Sequence, residues 1–148
     1  MPNHPHTAPQ GNPVALWRRL AAMLYDTLAV IGICFVVGGI AVGLNHGLAV
    51  PANSPGFSVL LLLLNYLYFA FCWRRSGQTL GMKSWRIRVV DANTGARLSG
   101  WQTLVRFSVG IVAWLPAGMG YWWSAFDAER RSWTDRASHS RLVRVPKT

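Results

Sequence analysis

Asp26 is the side chain in this sequence that most plainly asks for a chemical explanation. Between Leu20 and Trp73 the only carboxylate or histidine side chains are Asp26 and His46, and all 15 Lys and Arg lie outside that stretch. A charge placed in the middle of such an apolar run costs roughly 3 kcal/mol in lipid unless it is protonated, hydrated or paired. Arg19 precedes it by two helical turns, on much the same face and about 10 Å away along the axis. Two readings follow. Asp26 exchanges a proton or holds a cation, or it pairs with Arg19, Arg106 or a loop arginine and pins helices together. Asn65, the only strongly polar member of the second apolar run, is a further candidate partner.

Other groups carry less. Cys34 and Cys72 both fall inside apolar runs without ligand-like spacing and read as small packed residues. His4 and His6 flank a proline in a polar N-terminal stretch and read as solvated. Gly77 to Ser84, GQTLGMKS, has one residue too few between its glycines for a phosphate loop, and Met82 separates Gly81 from Lys83. The eight tryptophans read as interfacial anchors and packing. No serine, cysteine or histidine cluster pairs a nucleophile with a base, so neither an enzyme nor a metal or other cofactor is expected.

The elements that must position Asp26 follow from composition. A chain of 148 residues that is 51% hydrophobic, with a mean hydropathy of +0.22, is too apolar for most soluble domains of its size. A soluble helix bundle needs a polar face on each surface helix, and the long uncharged run has none. The expected class is an all-α membrane protein: a helical transmembrane bundle with a C-terminal helical hairpin and a small cytosolic β-element. The net charge of +10 would suggest nucleic acid in a soluble chain. Here the basic residues sit at span ends, where they face anionic lipid headgroups and stay on the cytoplasmic side.

Residues 1–14 read as a disordered cytosolic tail without the basic start of a secretory signal, and residues 15–146 as the transmembrane domain. A first span is expected over 17–44 and a second over 57–73, joined by an outward loop. Gly39 and Gly43, four apart, offer a face where another helix could approach closely. Residues 76–100 are too charged for lipid. Trp85, Ile87 and Val89 alternate with Arg86 and Arg88, and Asn93-Thr94-Gly95 signals a turn, which predicts a short hairpin completed by residues 96–99. The same alternation recurs in Arg141 to Val145, and this tail strand is expected to pair with Trp85 to Val90. The last apolar stretch folds back as two arms, 102–115 and 119–133, or crosses once over 103–126. The hairpin is favoured, because a single crossing would carry the basic tail outside.

Taken in order, these residues resemble the RDD family of small bacterial membrane proteins, named for one arginine and two aspartates. Arg19-Leu20-Ala21-Ala22 followed by Asp26 is similar to its first motif. Gly77 to Lys83, leading into Arg86 to Asp91, is similar to its central loop motif, and Phe126-Asp127, Arg130-Arg131, Asp135, Ser140 and Val143 to its closing one. The resemblance extends from Trp17 to Val145. It makes Arg19, Asp26 and Asp135 the name-giving residues. The chain departs from the family pattern with Thr134 where histidine is common and His139 where a small residue is usual. The resemblance implies a multi-pass protein of the bacterial inner membrane, with the N terminus and C terminus cytoplasmic and a suggested role in transport of an unidentified ligand. Two acids around one arginine would leave one carboxylate free to exchange a proton or hold a cation, unless Arg106 supplies a second positive charge. A homo-oligomer is expected, since few helices hardly enclose a solute path alone. The alternative is an accessory or scaffold protein in which the ion pairs are structural.

Overall fold

The computed structural model describes residues 12–51, 53–116 and 118–146. The chain is largely helical, with one small sheet. Helix α1 spans Leu16–Leu44 and α2 spans Pro55–Arg75, and both are long and apolar enough to cross a membrane. No proline interrupts α1, and the glycines within it are tolerated where lipid rather than water surrounds the backbone. Pro55 begins α2 at a position that needs no amide hydrogen, while Arg74 and Arg75 close it against the carbonyl end of its dipole. Helices are therefore present at both expected spans, each slightly longer than expected.

Helix α1 is buried most deeply at one end. Its buried residues are Arg19, Ala22 and Asp26, spaced to share a face. Beyond them Ile31, Phe35, Val36 and Ile40 are exposed, as a lipid-facing half requires. Gly39 and Gly43 have no atom of another element within 4 Å of where a side chain would begin, so the close helix approach they suggested does not occur within this chain. The core lies at the opposite end, where Val14, Ala22, Trp73, Met82, Ile87, Val89 and Leu98 cluster.

That core is closed by the polar segments. A short helix α3, Leu80–Ser84, is capped by the Thr79 hydroxyl, which accepts from the Met82 amide. Strand β1, Ile87–Asp91, pairs antiparallel with β2, Ser140–Arg144, in the register Ile87 to Arg144 through Asp91 to Ser140. The tail pairing expected from alternation thus forms, with Ile87 and Val89 fully buried. The hairpin with residues 96–99 does not. Asp91 Oδ1 accepts from the amides of Asn93 and Thr94 at 2.8 Å each, a tight local turn after which a single bond, Asp91 N to Ala96 O, joins the two segments. Ser99 then caps the next helix instead of extending a strand.

The tail boundary also moves. Pro13 bridges to Val143 and Val14 is 2% exposed, so residues 13 and 14 belong to the packed domain. His4, His6 and the rest of residues 1–11 lie outside the described residues.

The C-terminal apolar stretch is broken. Helix α4, Gly100–Trp114, opens with a capping box between Ser99 and Gln102; α5, Met119–Phe126, follows at 97° to it. The break falls where Pro116 and Gly118 (φ 77°) placed it, so 103–126 is not one straight span. Nor does the second arm reach 133. The backbone leaves the helix at Asp127, and Ser132 starts a separate α6, Trp133–Ala137.

Candidate functional site

Asp135 is completely buried and is held from both sides. Arg19 Nη1 donates to its Oδ2 at 2.7 Å and Arg106 Nη1 to its Oδ1 at 2.6 Å. Local structure fixes the carboxylate before the arginines arrive. Ser132 accepts from the Asp135 amide, while the Asp135 side chain accepts from the Ser132 amide at 3.1 Å, a reciprocal cap at the start of α6. Arg106 also donates to Ser140 Oγ at 2.8 Å, and Arg19 Nη2 to the Arg130 carbonyl at 2.5 Å. The cluster therefore ties α1, α4, α6 and β2 together.

Burial alone would raise the pKa of Asp135; the Arg106 and Arg19 charges overcome it and hold the carboxyl down at about 2, below its ordinary 3.8. The folded state thus binds a proton here less readily than the unfolded chain. The stability that Asp135 supplies is fully present above about pH 4 and fades as the pH falls toward 2. Near-UV circular dichroism in micelles should show tertiary signal lost through that window in the wild type. The idea fails if Asp135→Asn, where it still folds, shows the same acid transition.

Asp26 does not join this cluster. Thr79 Oγ1 donates to its Oδ2 at 2.5 Å and the Gly81 amide to its Oδ1 at 3.0 Å. Among the described residues no arginine lies within ion-pair distance of it. The expected arrangement, two acids sharing one arginine, is reversed: two arginines share one acid, Arg106 is a full member, and Asp26 is bound by the loop and α3. The Arg19 guanidinium is committed elsewhere, to Asp135 and the Arg130 carbonyl. Asn65 stands apart from both, donating to the Leu61 carbonyl at 2.8 Å and approaching Cys34 Sγ at 3.7 Å, with its Oδ1 buried and unpartnered.

Several partners escaped the sequence reading. Ser132, three residues before Asp135, carried a visible signal, the serine–acid spacing of a helix start. Thr79 and Gly81 lie inside the segment that resembles the family's central loop motif, but nothing in its spacing pointed to Asp26. Ser140 stands in the closing segment of the resemblance, but nothing there pointed to its bond with Arg106.

A cavity of about 390 Å³ lies between α1, α2 and α4, and Arg19, Asp26, Asn65 and Arg106 are all on its wall. Most of the remaining wall is apolar, including Leu62, Phe107 and Ile111. Both the arginine–aspartate cluster and the separately held Asp26 thus border one space.

These features define a helical membrane protein whose helices are locked at one end by a buried arginine–aspartate cluster. The RDD family model matches residues 13–139, and the chain belongs to the RDD family. Comparison with curated proteins and with solved structures returned no match.

Proposed function

We propose that this chain is a multi-pass protein of the bacterial inner membrane that transports a small solute, or a cation or proton, by way of the cavity between α1, α2 and α4. The reading is of a carrier without enzymatic chemistry. It rests on Asp26, a carboxylate on an apolar helix and on the cavity wall, hydrogen-bonded by Thr79 and Gly81 but with no cationic partner among the described residues. A carboxylate accepts about four hydrogen bonds, so two sites remain for a proton, a cation or a solute donor. The same two contacts tie Asp26 to α3, so a change in its occupancy alters the hold on that loop.

Arg18, half-buried at the start of α1, and the exposed Arg74 and Arg75 at the end of α2 lie at one end of the helices. The positive-inside rule puts that end, and both termini, in the cytoplasm, against anionic headgroups. One copy supplies a cavity rather than a path, which favours a homo-oligomer; nucleic acid has no part in this reading. The accessory or scaffold reading is favoured by a different observation, the full satisfaction of Asp135 by two arginines.

Liposomes separate the two. Wild type and Asp26→Asn are reconstituted and internal pH is followed under Na⁺, K⁺ or Li⁺ gradients and with candidate solutes. Flux that Asp26→Asn abolishes while remaining folded supports transport. A folded wild type that moves nothing leaves the scaffold reading.

A further inference from the structure

Three residues of the cavity wall carry hydrogen-bond donors that no partner among the described residues takes up. Arg19 Nε and Trp73 Nε1 are buried without a partner, and among the described residues Arg106 donates only through Nη1. These three residues line the same cavity and are 6–7% exposed. The Arg106 guanidinium lies over the Trp73 ring, 5.4 Å from its centroid. Charge is unbalanced as well. Two guanidiniums face the single carboxylate of Asp135, which leaves one positive charge in excess. Asp26 does not cancel it locally, being two helical turns, about 10 Å, further along α1. Buried donors on a net positive cluster, beside apolar walls, are complementary to an anion with an apolar body.

We infer that the cavity binds a small organic anion, a carboxylate or phosphate on an apolar body, with its charged end on Arg106, Arg19 and Trp73. Leu62, Phe69 and Ile111 surround the body. The volume of about 390 Å³ lies at the lower end of ordinary ligand sites. This rests on the cavity being the solute site proposed above, and it names the solute class. The anion arrives either from water or from the bilayer as a free fatty acid, and the chemistry that recognises it is the same.

The test uses the full chain in a non-ionic detergent with benzoate, decanoate and, as the uncharged control, decanol. A benzoate or decanoate concentration-dependent rise in Tm, absent with decanol, supports the site. Benzoate acting alone points to a water-borne solute and decanoate acting alone to a bilayer-borne one. Arg106→Ala also strips the latch on Asp135 and so risks unfolding. Trp73→Phe keeps an aromatic side chain and leaves the latch on Asp135 untouched, while it removes the indole N–H with part of the ring; where the variant still folds, it should weaken anion binding about tenfold, the effect of one hydrogen bond to a charge. No rise with either anion, an equal rise with decanol, or unchanged affinity in Trp73→Phe would overturn the inference. Flux in liposomes is scored separately. Anion binding without any flux sinks the transport reading and keeps the site, whereas flux without anion binding does the reverse.

Discussion

Asp135→Ala is expected to destabilise the protein by about 3–5 kcal/mol, enough to leave little folded material after extraction into detergent. The substitution removes the carboxylate that, among the described residues, alone lies within ion-pair reach of two guanidiniums whose side chains are 8% and 6% exposed. Both charges would then sit buried without compensation, and the Ser132 amide would lose the acceptor that starts α6. The outcome is read by size-exclusion recovery and by thermal unfolding of whatever survives. Asp127→Asn is the control: Asp127 pairs with a half-exposed Arg136, and the asparagine keeps an acceptor oxygen for the Arg131 amide that Asp127 also holds, so the change should cost about 1 kcal/mol. Replacing the whole cluster, Arg19→Met with Arg106→Met and Asp135→Leu, should restore much of the loss, because apolar groups of similar volume need no partners. If Asp135→Ala unfolds like Asp127→Asn, the cluster is not what locks the helix ends together.

The cluster shows how far the sequence could be read. Asp26 and Arg19 stood out because charge is rare in and beside an apolar run, a signal that needs no knowledge of the fold. Which charges meet was another matter. Arg19 and Asp135 are 116 residues apart, and only the placement of α6 against α1 decides that pairing. The β1 and β2 pairing was legible, since both segments alternate apolar and basic residues with a period of two. The false hairpin came from the same rule applied to Ala96 to Ser99, where Asp91 turns the backbone locally and Ser99 is needed as a cap. The break after α4 falls between the two arms expected of the last apolar stretch, at Pro116 and Gly118. The length of the arm beyond it was hidden, because apolar character continues to Phe126 and resumes at Trp133, while the intervening polar residues leave the helix and start another.

Gly81→Ala is expected to be nearly as damaging, although it adds a single methyl group. A Cβ at Gly81 would lie 2.0 Å from the Ala22 carbonyl oxygen and 2.8 Å from its carbon, and both are backbone atoms of a long helix that cannot step aside. Helix α3 must therefore lift off α1. Overpacking of this kind costs about 1–3 kcal/mol. Lifting α3 also draws the Gly81 amide and the Thr79 hydroxyl away from Asp26, leaving a buried carboxylate without donors at about 1–3 kcal/mol for each bond lost. Gly39→Ala is the matched control in α1. Nothing lies within 4 Å of that site, and removing a helical glycine should be neutral or stabilise by up to about 1 kcal/mol. Thr79→Val separates the steric part of the effect, since it removes one donor to Asp26 and the cap of α3 without touching Ala22. Thermal unfolding of the three variants should rank Gly81→Ala below Thr79→Val and Thr79→Val below Gly39→Ala. A Gly81→Ala protein as stable as Gly39→Ala would mean that α3 does not rest on α1, and the hold on Asp26 that the transport reading depends on would go with it.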